Sequence, residues 1–161
     1  MFKIKLLILF FSSFFLISCN YQKDLSSSNS FNIGRIETDV DGLVARNILS
    51  SHLNSFGLLD EYSKLKIRGK ITHSTSLYIT NINNTSNREN LITNIDMEIV
   101  KGNCVVYKYS AETSQFYLIA SSTKFKSNTK AIEKIKYDNS EYLIQKFINI
   151  VTNKRLECKD V

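Results

Sequence analysis

The chain has 161 residues with 21 Lys and Arg against 15 Asp and Glu, a net charge of +6, three Cys and no Pro. That length fits one domain with a modest core, and after the first eighteen residues no stretch reaches the roughly twenty apolar residues that a membrane span needs. Two histidines far apart, with no close Cys or His neighbours, exclude the usual spacing of metal ligands.

The first element is a leader. Lys3 and Lys5 precede an apolar run from Leu6 to Phe11, two serines, then Phe14-Phe15-Leu16-Ile17-Ser18-Cys19. This is a basic region followed by an apolar one of signal-peptide length. Leu16-Ile17-Ser18-Cys19 has the order of a lipobox: an aliphatic residue, a tolerated second position, a small residue and a cysteine whose thiol can carry diacylglycerol as a thioether. Residues 1–18 are therefore expected to be a lipoprotein signal cleaved between Ser18 and Cys19, with Cys19 as the lipidated N-terminus. The alternative is an ordinary signal, or an uncleaved anchor, with a chance cysteine. One acyl chain binds a membrane marginally, whereas the two or three of a processed lipoprotein hold it essentially permanently. Loss of Lys3 and Lys5 lowers the net charge from +6 to +4. That suits work beside acidic headgroups, although such a charge is also common in proteins that touch none. An aspartate after the lipid cysteine would signal inner-membrane retention, so Asn20 favours the outer membrane and its periplasmic side, a compartment in which nucleic acid is not an expected partner.

Residues 19–30, with Ser26-Ser27-Ser28-Asn29-Ser30, read as a flexible tether, and residues 31–161 as a single α+β domain. Phe31 to Ile36 alternate as a first strand. Asp39 or Asp41 then caps a helix whose apolar residues Leu43, Val44, Ile48, Leu49, Leu53 and Phe56 recur at helical spacing up to Gly57. Ser63 to Thr72 alternates strictly and predicts a second strand. It carries Leu65, Ile67 and Ile71 on one face and Lys64, Lys66, Arg68 and Lys70 on the other; His73 ends it. After a polar loop near Asn81 to Asn87, a third strand from Asn90 to Val100 turns Leu91, Ile95, Met97 and Ile99 inward and Asn94, Asp96 and Glu98 outward. Lys101-Gly102-Asn103 reads as a hairpin turn, followed by a fourth strand with Val105, Tyr107 and Tyr109 on one face that continues or bends toward Phe116 to Ala120. From Asn128, Ile132, Ile135, Leu143, Phe147, Ile150 and Val151 form a helical stripe, interrupted by Asp138-Asn139-Ser140, which can break it with a new cap. The order β-α-β-β-β-α predicts a four-stranded, mostly antiparallel sheet with both helices packed on one face. In this topology the exit of the last helix brings Cys158 toward Cys104 at the start of strand four. A disulfide between them is one reading in a permissive compartment; a buried free Cys104 and a loose tail are the other.

This order of elements, with the lipobox, resembles the LPS-assembly lipoprotein family (LptE), particularly its α-proteobacterial branch. The residues that carry the likeness are Ile33 to Ile36, Arg46-Asn47-Ile48-Leu49 in the first helix, Arg88 before the third strand, Val105 to Ser110 in the fourth, and Ser121-Ser122-x-x-Phe125. The family commonly starts Cys-Gly-Phe-x-Pro-Leu-Tyr, where this chain has Cys19-Asn20-Tyr21-Gln22. The resemblance implies a plug inside the large outer-membrane β-barrel that inserts lipopolysaccharide (LptD), assistance in folding that barrel, lipopolysaccharide binding, and neither cofactor nor catalytic residues. A free-standing ligand-binding or inhibitor lipoprotein is the competing reading.

Lys64, Lys66, Arg68 and Lys70 are the candidate ligand site. Same-face residues lie about 7 Å apart along a strand, so the four form a row of cations suited to the phosphates of lipid A, with arginine offering a bidentate fork. The competing expectation is that Asp96 and Glu98 pair with these cations across the strands, leaving a solvated face. Tyr62, Tyr78, Tyr107, Tyr109 and Tyr117 mark either a contact surface or ordinary sheet positions. Ser50-Ser51-His52 with Glu37, Asp39 and Asp41 makes no nucleophile arrangement, because neighbours in a helix face different ways, and His52 and His73 are expected at core or edge positions.

Overall fold

The computed structural model describes residues 29–37, 40–78, 88–118 and 125–158. Ser18 and Cys19, most of the 19–30 tether, Asp39, the 81–87 loop, Ser121 and Ser122 lie outside the described residues.

Six elements follow one another: β1 (Asn32–Ile36), α1 (Val40–Ser55), β2 (Leu65–Tyr78), β3 (Arg88–Lys101), β4 (Cys104–Leu118) and α2 (Phe125–Thr152). The sheet order is β1-β2-β3-β4. β1 runs parallel to β2, as a strand returned by a crossover helix can, while β2, β3 and β4 form an antiparallel meander. The α+β architecture is thus the expected one. The strands are longer than the apolar alternation marks, so His73 lies within β2 and does not end it.

Alternation places Leu65, Ile67 and Ile71 of β2 and Leu91, Ile95, Met97 and Ile99 of β3 on one face, all buried. Ala45, Ile48, Leu49 and Leu53 of α1 and Leu143, Ile144, Phe147, Ile148 and Val151 of α2 close over it. Burying each such aliphatic or aromatic side chain contributes about 1.5–3 kcal/mol. Leu43 and Phe56, expected in the core stripe of α1, are instead 55% and 49% exposed, and Ala45 takes the inward position.

Two glycines serve the sheet. Gly102 has φ +61° in the β3–β4 turn, a conformation that disfavours a Cβ. Gly69 faces Met97 across β2 and β3, and a Cβ there would collide with the Asp96 carbonyl oxygen and the Met97 thioether.

Asp138-Asn139-Ser140 does not break α2, which is continuous over 28 residues. Asn139 and Ser140 are buried and bonded locally: Asn139 Nδ2 donates to Thr93 Oγ1 at 3.1 Å, while its Oδ1 has no partner among the described residues, and Ser140 Oγ donates to the Lys136 carbonyl at 2.6 Å. Thr93 is itself fully buried and lies 2.9 Å from His73 Nδ1. Asp41, in the first turn of α1, receives Lys136 Nζ at 3.0 Å and stands 3.9 Å from His73 Nε2. A polar seam therefore ties both helices to the middle of the sheet.

The chain enters at the end where β2 begins and α2 finishes. Asn29 Nδ2 bonds the Lys154 carbonyl, the Phe31 amide bonds the Leu58 carbonyl, and the Phe31 ring is fully buried. At this same end Cys104 and Cys158 are disulfide-bonded, with Cα atoms 6.1 Å apart, and Leu156 beside the bridge is buried.

Candidate functional site: the open face of the sheet

The face opposite the helices collects the alternate residues of β2, β3 and β4 in rungs. Arg68, Glu98 and Lys108 stand in one register row, and Lys70, Asp96 and Ser110 in the next. Together with Arg35 and Glu37 from the β1 edge, these eight residues line an open, shallow cleft of about 720 Å³.

Its electrostatics differ from simple cross-strand neutralisation. Arg68 Nε meets Glu98 Oε1 at 2.5 Å, which holds the guanidinium in place. Asp96 faces Lys70 in register, yet its Oδ1 accepts the Ser110 hydroxyl at 2.6 Å. Lys64, Lys66, Lys70, Arg35 and Lys108 make no ion pair among the described residues. The expectation that Asp96 and Glu98 would neutralise the row therefore holds for Arg68 alone. The row also widens beyond the four residues named from sequence, because Arg35 and Lys108 flank it on the neighbouring strands. Lys108 was legible from its position: it sits on the same face as Glu98 once β4 is paired to β3. Such a surface can hold several anionic groups in an extended arrangement, with arginine and lysine heads reaching them from below.

β4 does not keep one alternation from its first residue. Val105 pairs with Val100, and Tyr107 with Ile99, so one residue bulges between them. Val105 is consequently 40% exposed, whereas Val106, Tyr107 and Tyr109 pack against the core. Tyr109 stacks at a tilt on Phe147, 5.6 Å between ring centres, and Lys154 Nζ lies 4.2 Å from the centre of Tyr107. Burial, with Tyr107 and Tyr142 nearby, pushes the Tyr109 hydroxyl pKa up. Tyr117 is buried and its hydroxyl donates to Glu89 Oε2; burial first, and that carboxylate second, push its pKa up to about 12. Tyr62 is 94% exposed and lies off the sheet; the Tyr78 side chain lies outside the described residues. Tyr62, Tyr107, Tyr109 and Tyr117 thus form no common exposed surface.

His52 faces α2, with Nε2 3.4 Å from Glu141 and from Gln145. Among the described residues no cluster of His, Cys, Asp or Glu is arranged to hold a metal ion, and no helix is long and apolar enough to cross a membrane.

No family model matches the sequence, and no curated protein matches it by sequence. Solved structures do share its shape. Rare lipoprotein B from Shewanella oneidensis superposes with a TM-score of 0.56 at 9% identity, over 78% of this chain and 98% of that one. A minor lipoprotein from Acinetobacter baumannii gives 0.61 at 12% identity, over 81% and 98%. Lipoprotein B from Nitrosomonas europaea gives 0.50 at 9%, over 77% and 82%. At such identities the likeness is one of fold, and the strand-helix-meander-helix arrangement described above is the fold of these bacterial lipoproteins.

Proposed function

We propose that the chain is a lipid-anchored subunit of the outer-membrane lipopolysaccharide translocon. In this reading Cys19 carries the anchor, the body seats in and assists assembly of the β-barrel partner, and the open sheet face binds lipopolysaccharide. The observation that carries the reading is the set of cations on that face, Lys64, Lys66, Lys70, Arg35 and Lys108, which have no carboxylate partner among the described residues, beside a clamped Arg68. Unneutralised cations sharing one face repel one another and persist at small cost in solvent, but they gain strongly when polyanionic phosphate groups lie across them. The fold shared with bacterial lipoproteins and the lipobox order of Leu16 to Cys19 support the same reading.

Photocrosslinking from position 70 tests it. Capture of lipopolysaccharide and of an outer-membrane β-barrel supports the proposal; capture of bulk periplasmic proteins alone removes it in favour of a free-standing binding or inhibitor module. Replacing Lys64, Lys66 and Lys70 together by Gln is expected to weaken binding of lipid A at least several-fold, with little effect on dephosphorylated lipid A. Mass analysis of the mature protein tests the anchor, since an unacylated Cys19 or a retained leader would remove the location.

A further inference from the structure

The sheet order puts β1 and β4 at its two edges. β1 is five residues long, but β4 runs for fifteen, and among the described residues no backbone hydrogen bond reaches its outer side. Every second residue of such a strand turns its N–H and C=O outward, which is about seven residues here. Proteins commonly blunt a long edge with proline, a bulge or scattered charge. This chain has no proline, and the one bulge of β4 sits at its first rungs, leaving Tyr107 to Leu118 in regular register.

The two charged residues of β4 are Lys108 and Glu112, four apart on the open face, and neither is in an ion pair among the described residues. When a strand meets its own copy in antiparallel register centred on Ser110, Lys108 faces Glu112 of the copy, Glu112 faces its Lys108, and Ser110 faces Ser110. On the helix side, Tyr109 then meets the small Ala111. The same register lays Phe116, 58% exposed, beside the bulged end of the other strand, where Val105 is 40% exposed.

We propose that β4 is a self-association edge, at which two copies of the chain pair antiparallel about a twofold axis at Ser110. The product is one continuous eight-stranded sheet. Both ion pairs arise from a single symmetric register: a shift of one rung sets Lys108 against Ser110 or Ser114 and Glu112 against Val106 or Ser110, and a shift of two rungs sets Lys108 against Lys108 or Glu112 against Glu112. The two cationic faces become coplanar, so the assembly carries Arg35, Lys64, Lys66 and Lys70 of both copies on one surface, with Lys108 of each copy held by Glu112 of the other. This reaches beyond the lipid-binding proposal and is read without any lipid present, so each can fail alone.

The test uses the mature chain in mild detergent. Ser110→Cys is expected to give a disulfide-linked dimer under mild oxidation, whereas Gln115→Cys, whose two copies stand far apart in this register, is expected to give none. Glu112→Lys and Lys108→Glu are each expected to reduce self-association several-fold, while the two variants mixed under different tags recover it as a heterodimer. Thermal unfolding of each variant checks that its fold is intact. Cross-linking through Gln115 and not Ser110, or charge variants that associate like the parent, would overturn the proposal. So would a photoreactive group at position 110 that captures only another envelope protein.

Discussion

The same four strands make both faces of this sheet, and the two faces obey different rules. On the covered face the alternate residues from Leu65 to Ile71 and from Leu91 to Ile99 are buried beneath the helices, so their volumes and hydrogen bonds are fixed by neighbours, while Leu77 at the far end stays exposed. Ile95, Ile99 and Phe147 are fully buried, and the polar interruption at Thr93 is met by Asn139 and His73. On the open face, side chains are constrained only by the rung beside them, and five cations stay unpaired among the described residues. The contrast teaches that in a two-layer fold stability is decided on one face, which leaves the other available for charge patterns that folding would not select.

The largest expected effect breaks the covered face. Phe147→Ala removes a fully buried ring that packs on Tyr109 and should destabilise by about 3–5 kcal/mol in chemical denaturation, while Lys66→Gln on the open face should stay within about 0.5 kcal/mol. Equal effects would abolish the distinction. Replacing Cys104 and Cys158 together by Ser should lower stability by about 2–4 kcal/mol, since the bridge joins residues 54 apart in sequence; a midpoint equal to that of the reduced parent protein would confirm that the bridge itself is responsible. Thr93→Val leaves the Asn139 amide buried without its acceptor and should lose about 1–3 kcal/mol, with much of the loss recovered by adding Asn139→Leu, because removing both partners is far milder than orphaning one.

The smallest effect is confined to alkaline conditions. Tyr117 has a pKa raised to about 12 in the fold, against about 10 when unfolded. The folded state holds this proton more tightly, so the associated stability is fully present below pH 10 and is lost as pH rises toward 12. Urea midpoints of Tyr117→Phe should therefore fall less between those two pH values than those of the parent.

Much of this was legible because period-2 alternation in Leu65 to Ile71 and Leu91 to Ile99 names both the strands and their faces, and the 3.6-residue stripe from Leu143 to Val151 names the helix. The second half of β2, His73-Ser74-Thr75-Ser76, carries no apolar alternation, and its strand character comes from pairing with β3. Asn139 and Ser140 read as a helix break because sequence cannot show that Thr93 waits opposite. The bulge near Val105 shifted one strand's faces with no glycine to announce it. Of the cationic row, the residue types and the face were readable; which carboxylate held which cation was not, because Ser110 competes for Asp96 and so leaves Lys70 alone.

The buried Phe31 ring and the parallel docking of β1 bear on mechanics. A pull directed along the β1 axis loads its bonds to β2, with those between Phe31 and Leu58 and Asp60, in shear, so that they share the load. The fully buried Phe31 ring resists the same displacement, so tension arriving at residue 31 meets both a side-chain anchor and a strand.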